Sequence, residues 1–141
     1  MSFDSLWGPP HTTTDPGAFP SRTVEPGDTE GISGLELRLT RETLGLSGDD
    51  LAAALGINRR TIQRWERSEA IPAWATFELD ALVTETITWI DLLEHRAEAR
   101  VFHDGWHVIS TGQALPASWW RTVVGRALTG GNPGLAVHWG D

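Results

Sequence analysis

The chain has 141 residues, no cysteine and a formal net charge of −8, and its eleven Lys/Arg residues are all arginine. The absence of cysteine excludes disulfides and thiolate metal sites, no apolar run has the length of a membrane span, and the first ten residues lack the basic start and apolar core of a signal peptide. We therefore expect a soluble intracellular protein of one domain, or of a small domain with an appendage, that does not bind a membrane.

The charges are unevenly distributed. Residues 1–33 have five acids and one arginine, and residues 73–100 have six acids and two arginines, whereas residues 34–72 have six of each. From Arg59 to Arg67 there are four arginines and one glutamate. An acidic chain disfavours DNA phosphates, but this segment is a local positive patch. The alternative is that the net negative charge serves solubility alone.

Residues 1–31 are rich in proline, threonine and glycine and poor in large apolar side chains. Such a segment buries too little surface to offset the entropy that it loses on ordering. We therefore predict a disordered N-terminal tail over residues 1–31, a folded domain over residues 32–99, and a smaller region over residues 100–141.

Two short helices and a sharp turn are predicted after the tail. Ser33 and Glu36 form a capping box for the first helix, and Gly45 ends it. Ser47 caps the second helix, whose first turn contains two aspartates where the helix dipole favours anions. Gly56 then supplies the left-handed residue that the turn requires.

A third helix is predicted from its cap Asn58 to about Arg67. Ile62 and Trp65 lie on its inward face, while the arginines and Gln63 lie on its outward face or at its leading end. Two helices joined in this way form a helix-turn-helix, in which the second helix enters the major groove of DNA. Sequence-specific DNA binding is therefore the leading hypothesis.

A long helical segment is predicted from Pro72 to about Arg100. Its apolar side chains cover far more than one stripe, so we expect it to pack on two sides, against its own domain and against a partner subunit. The β-branched stretch Thr84–Thr88 has weak helix propensity and allows a break there.

Over the last forty residues the pattern changes from helical periodicity to a mixture of strand, turn and helix signals. The Asp104–Gly105 pair predicts a β-hairpin over residues 101–109. A helix is predicted from Pro116 to Leu128, and alternating apolar residues predict a strand over 135–139. The fold class is therefore mainly α, a helical bundle with a helix-turn-helix, followed by a small α+β unit.

Residues 35–72, about a quarter of the chain, resemble the Cro/Xre-type helix-turn-helix repressors. The layout of the whole chain is also similar to small anti-CRISPR-associated repressors, in which a compact C-terminal unit dimerises. The resemblance implies a Cro/Xre-like bundle, a homodimer and double-stranded DNA as the partner. The matching residues are Arg41, Leu44, Gly45, Leu46, Ser47, Leu51, Ala52, Leu55, Gly56, Ile57, Thr61, Ile62, Trp65, Glu66 and Pro72.

The resemblance also implies roles for individual residues. Base edges would be contacted by Arg59, Arg60, Gln63 and Arg64, and arginine suits this role because it gives guanine two parallel hydrogen bonds. Phosphates would be contacted by Ser47, Gly48, Asn58, Thr61 and Arg67. A structural salt bridge would join Arg41 to Glu66. The alternatives are a solvated helix face for the arginines, and capping and turning for the small polar residues.

The aromatic residues of the second half are expected in the core and the dimer interface, where large rings contribute most area. The predicted interface comprises Trp89, Leu93, Trp106, Trp119, Trp120, Val137 and Trp139. A metal or acid–base site at His103, Asp104, His107 and His138 is the weaker interpretation, because two of these histidines fall in the predicted hairpin and no catalytic motif is present. We expect no enzyme activity, metal or cofactor.

These features predict a dimeric transcriptional regulator, an autorepressor that binds an inverted repeat through the major groove. One alternative is an antitoxin-like autoregulator whose tail binds a protein partner. In another, the acidic or C-terminal surface binds a protein and DNA is incidental. The expected location is the cytoplasm, in association with the nucleoid, or the host cytoplasm if a phage encodes the chain.

Overall fold

The computed structural model describes residues 8–15, 17, 31–67 and 71–141. The chain divides into two compact units, a helical unit (residues 17–83) and a mixed unit (residues 1–16 and 84–141). None of the described helices is both long enough and apolar enough to cross a membrane. The elements are β1 (His11–Thr12), α1 (Gly34–Thr43), α2 (Gly48–Leu55), α3 (Arg59–Arg67), α4 (Ala73–Leu93), β2 (Glu98–Val101), β3 (Trp106–Val108), β4 (Ala114–Pro116), α5 (Ala117–Thr129) and β5 (Ala136–Trp139).

Capping residues set the bounds of α1 and α2. The Ser33 hydroxyl accepts from the Glu36 N–H at 3.1 Å, and the Glu36 carboxylate accepts from the Ser33 N–H at 3.4 Å. Ser47 and Asp50 repeat this capping box at 3.1 and 2.9 Å. Gly45 follows α1 with a φ of 71°, the left-handed region where glycine is unstrained. Both helices begin where the sequence predicts.

The core of the helical unit is formed by leucines and isoleucines. Trp65 packs edge-on against Trp74, with ring centroids 5.8 Å apart. Each fully buried aliphatic side chain contributes about 1.5–3 kcal/mol relative to an exposed one. The fully buried side chains here are Leu37, Leu44, Leu51, Leu55, Ile62, Ile71, Leu79 and Leu82.

The mixed unit contains two small sheets. One is antiparallel in the order β1-β3-β4, and the other is the parallel pair β2-β5. His11 lies opposite His107 in the first sheet, and Glu98 lies opposite Ala136 in the second. The predicted hairpin over residues 101–109 is wrong because β2 pairs with β5, whereas β3 pairs with β1 and with the next strand, β4. The hairpin therefore lies one strand later than predicted, between β3 and β4. The helix predicted at 116–128 is present as α5, and the terminal strand as β5.

The predicted disordered tail over residues 1–31 is wrong where it covers β1. This strand is ordered by pairing with β3, and the Pro9 carbonyl accepts a hydrogen bond from the His107 Nδ1 at 3.0 Å. A short polar strand gains its order from such distant partners and leaves no local signal. The prediction for residues 1–7, 16 and 18–30 lies outside the described residues.

The compact units also differ from the predicted domains 32–99 and 100–141. The division falls between Val83 and Thr84, inside α4, and the first residues of the chain belong to the mixed unit. The helix α4 ends at Leu93 rather than near Arg100, and no break interrupts it.

Three residues predicted in a dimer interface are instead part of the mixed unit's own core. Leu93, Trp119 and Trp120 are at most 2% exposed. The Trp119 Nε1 donates to the Thr86 hydroxyl at 3.0 Å, and the Trp120 Nε1 donates to the Arg100 carbonyl at 2.8 Å. Because these side chains are covered within one chain, a partner cannot reach them and the interface assignment is wrong for all three.

Candidate nucleic-acid interface

A tight turn joins α2 to α3. Gly56 has a φ of 70°, and the Ile57 N–H donates to the Ala52 carbonyl at 3.0 Å. A residue with a Cβ is strained at this φ. The Asn58 side-chain oxygen then accepts from the Arg60 N–H at 2.8 Å, which caps α3. The sequence predicted both the glycine turn and the asparagine cap.

One face of α3 is buried and the other is open. Ile62 and Trp65, three residues apart, are buried in the helical unit. Thr61 is half-buried. The exposed side chains of α3 are Arg59, Arg60, Gln63, Arg64 and Arg67. This arrangement presents four arginines and one amide to solvent on a rigid helix.

The first turn of α2 lies beside the first turn of α3. The Arg59 Nε is 3.4 Å from the Asp49 Oδ1, and both side chains are more than 60% exposed. Such an exposed pair contributes less than about 1 kcal/mol to stability. Sequence reasoning assigned Asp49 only to the helix dipole and missed this contact. The opposite charges at the leading ends of two adjoining helices were the available signal.

A partly buried ion pair ties α1 to α3. The Arg41 Nη2 donates to the Glu66 Oε1 at 2.9 Å, and the Arg41 Nη1 donates to the Leu46 carbonyl at 3.0 Å. The two side chains are 15% and 14% exposed. The pair therefore engages the single glutamate of α3.

Within the described part of the chain, no carboxylate pairs with Arg60, Arg64 or Arg67. The outward face of α3 is therefore positive although the chain as a whole is acidic. A positive helix face of this kind attracts phosphates and offers forked donors to base edges.

The small polar residues predicted to contact phosphates lie at the leading ends of α2 and α3. Ser47 precedes α2, where its hydroxyl accepts the capping bond, and Gly48 is the first residue of that helix. Asn58 and Thr61 occupy the corresponding start of α3, whereas Arg67 lies at its far end. Backbone N–H groups at helix N-termini bind anions, so capping and phosphate contact are compatible here.

The histidines of the mixed unit have separate partners. The His103 Nδ1 lies 3.0 Å from the Asp141 carboxylate, whose pKa this hydrogen bond lowers. His107 is 1% exposed, and burial lowers its pKa to about 4. The His138 Nε2 lies 3.6 Å from the Glu98 carboxylate. Among the described residues, no three His, Asp or Glu side chains are grouped as metal ligands would be.

Comparison with known proteins gives one match. Residues 34–83 match the family described as a helix-turn-helix domain. The matched range contains α1, α2, α3 and the first half of α4. Searches of curated proteins and of solved structures found no match. A helix-turn-helix domain indicates that DNA is the partner and that the protein regulates transcription.

Proposed function

We propose that the helix-turn-helix domain at residues 34–83 makes this chain a dimeric repressor of its own gene, which binds an inverted repeat of double-stranded DNA. The observation that supports this most is the exposed arginine face of α3 on a helix whose other face is buried. The helix α3 would enter the major groove, and the α3 helices of two chains would lie in successive grooves about 34 Å apart.

The base contacts would come from the leading half of α3. Arg60 and Arg64 are the strongest candidates, because Arg59 shares its guanidinium with Asp49. Each can donate two hydrogen bonds to one guanine, and Gln63 suits an adenine. The phosphate contacts would come from Ser47, Gly48, Asn58, Thr61 and Arg67.

The acidic remainder of the chain supports selective binding. A net charge of −8 lowers the affinity for any DNA backbone, since phosphate contacts alone are opposed by the acidic surface. The difference between an operator and random DNA then depends on the base contacts of α3. Such a regulator would act in the cytoplasm, at the nucleoid.

A titration tests the proposal. The purified full chain is titrated with DNA from around its own gene, with an excess of random DNA as competitor and at two salt concentrations. We expect a complex that survives the competitor and contains two chains per duplex. Binding that the random competitor removes at both salt concentrations would show that α3 does not discriminate sequence, and the proposal would fail.

A further inference from the structure

The outer edge of β5 has unpaired backbone groups. Toward β2, the Ala136 N–H donates to the Ala97 carbonyl at 3.0 Å, and the Gly140 N–H donates to the Val101 carbonyl at 2.8 Å. Alternate residues of a strand direct these groups to opposite edges, so Val137 and Trp139 direct theirs outward. No strand in the described part of the chain pairs with that edge.

The same two residues have the apolar side chains of β5. Val137 lies opposite Ala99 in the ladder, and Trp139 lies opposite Val101. Ala99 and Val101 are buried, whereas Val137 is 37% and Trp139 is 55% exposed. Residues opposite each other share one face of a sheet. The apolar face of the sheet therefore continues from β2 onto β5. There Val137 and Trp139 stay partly exposed, although one face of the Trp139 ring stacks on His103 with centroids 3.5 Å apart.

We propose that β5 pairs antiparallel with β5 of a second copy of this chain, about a two-fold axis through His138. In this register Val137 lies opposite the partner's Trp139, and their outward N–H and C=O groups bond to each other. His138 lies opposite its own counterpart as a non-hydrogen-bonded pair. The result is a four-stranded sheet, β2-β5-β5-β2, in which no edge of β5 is free.

The strand is self-complementary in this register. Its outward backbone groups and its apolar side chains belong to the same two residues, so one arrangement joins both sets at once. The cross-strand pair is a β-branched residue against an aromatic one, a favourable combination. A slip by one residue would bring His138 to the apolar face. A second copy is thus the occupant that fits, and its two-fold axis matches an inverted repeat.

The inference rests on the proposed function only for its role in DNA binding, because it names the subunit contact of the proposed dimer. It concerns a surface outside residues 34–83, so it can be tested without DNA. The two proposals therefore fail separately.

Disulfide trapping is the sharpest test, since the natural chain has no cysteine. A non-hydrogen-bonded pair has Cα atoms about 4.5 Å apart, a spacing that a disulfide spans. We expect the full-length His138→Cys variant to form a covalent dimer on mild oxidation. Ala136→Cys is the matched control, exposed on the same face of the same strand. Its counterpart would be about 14 Å away, so it should remain unlinked. Equal linking of both variants, or of neither, would overturn the register.

Sedimentation at increasing protein concentration gives an independent measurement. We expect the natural chain to dimerise, and Val137→Lys to raise the dissociation constant roughly tenfold or more. Ala136→Lys, which adds the same charge on the other face of β5, should leave it unchanged. The inference would be overturned if the chain stayed monomeric at every concentration, or if Val137→Lys left the dissociation constant of the dimer unchanged. Selective DNA binding without disulfide trapping at residue 138 would overturn only the β5 pairing. Disulfide trapping without DNA binding would overturn only the proposed function.

Discussion

The helices of the helical unit are capped by close neighbours in sequence, whereas the first strand of the mixed unit is ordered by very distant residues. Ser33 caps a helix with Glu36, and Ser47 does so with Asp50, in each case three residues on. In the mixed unit the Pro9 carbonyl and His107, which share a hydrogen bond, are 98 residues apart. Contacts of the first kind can be predicted from a few neighbouring residues, whereas contacts of the second kind depend on how most of the chain folds.

The two units also differ in their buried polar groups. In the helical unit the principal one is the charged pair of Arg41 with Glu66. In the mixed unit they are neutral donors, the indole of Trp119 and the imidazole of His107. A charged pair is most sensitive to loss of one partner, while a neutral buried imidazole is most sensitive to acid. We therefore expect loss of one charged partner to destabilise the helical unit most, and acid to destabilise the mixed unit most.

The largest effect is expected at the core of the mixed unit. Trp119→Ala removes a fully buried ring and should lower the free energy of unfolding by about 3–5 kcal/mol, measured by urea denaturation. Phe77→Ala, at an exposed aromatic position, is the control and should cost little. If Trp119→Ala does not fold, Thr86→Val, which leaves the indole N–H unpaired, should still cost about 1–3 kcal/mol. If Trp119→Ala weakened dimerisation and left the unfolding free energy of the single chain unchanged, Trp119 would belong to a dimer interface and not to the core.

The next effect is expected in the helical unit. Glu66→Gln leaves the Arg41 charge without its carboxylate and should cost about 3 kcal/mol of unfolding free energy. The matched control is Glu42→Gln, which breaks the exposed pair with Arg38 at 3.3 Å and should cost less than about 0.5 kcal/mol. Equal costs for the two variants would mean that the Arg41–Glu66 pair is no more important than a surface pair.

Acid should weaken the mixed unit through His107. Burial lowers its pKa from 6.5 in the unfolded chain to about 4 in the fold, so protons bind the unfolded state more tightly. The stabilising contribution is complete above pH 6.5 and is lost as the pH falls toward 4, with a loss of about 2 kcal/mol at pH 5. Urea midpoints at pH 7 and pH 5 measure it.

A flatter pH profile is expected for His107→Gln, whereas the exposed His95→Gln variant should keep the profile of the natural chain. If the natural chain and His107→Gln lose stability in parallel on acidification, another group is responsible.

The smallest effect on stability is expected on the exposed face of α3. Arg60→Ala should leave the unfolding free energy unchanged and relax the preference at one base pair per half-site, at a cost of roughly 1–3 kcal/mol of binding free energy. Competition with operator variants measures this. Arg38→Ala, an exposed arginine on α1, is the control and should not alter the preference. An equal loss on random DNA would assign Arg60 to a phosphate instead.

The sequence was sufficient where signals are local. The caps at Ser33, Ser47 and Asn58 and the turn at Gly56 each depend on residues within a few positions, and all four are present in the structure. Helical spacing also gave the buried face of α3. The base and phosphate contacts follow from that face and remain predictions.

The sequence was insufficient where partners are distant. The Asp104–Gly105 turn predicted a hairpin between β2 and β3, but β2 pairs with β5 and β3 pairs with β1, which are distant strands that a local pattern cannot identify. The hairpin that does form joins β3 to β4, the next strand. Residue type also could not separate core from surface, since Trp119 is buried and Trp139 is half-exposed. The exposure of each tryptophan depends on where its element packs: Trp119 belongs to α5 and Trp139 to β5.

The pairing of β1 with β3 has a consequence for biosynthesis. In chain order the whole helical unit lies between these two strands. A ribosome adds about 5–20 residues per second, so β1 leaves the exit tunnel roughly 5–20 s before its partner strand leaves it. During that interval the helical unit has all of its own residues and can fold. Once it has folded, fewer flexible residues separate β1 from β3, which lowers the entropy cost of closing that long loop.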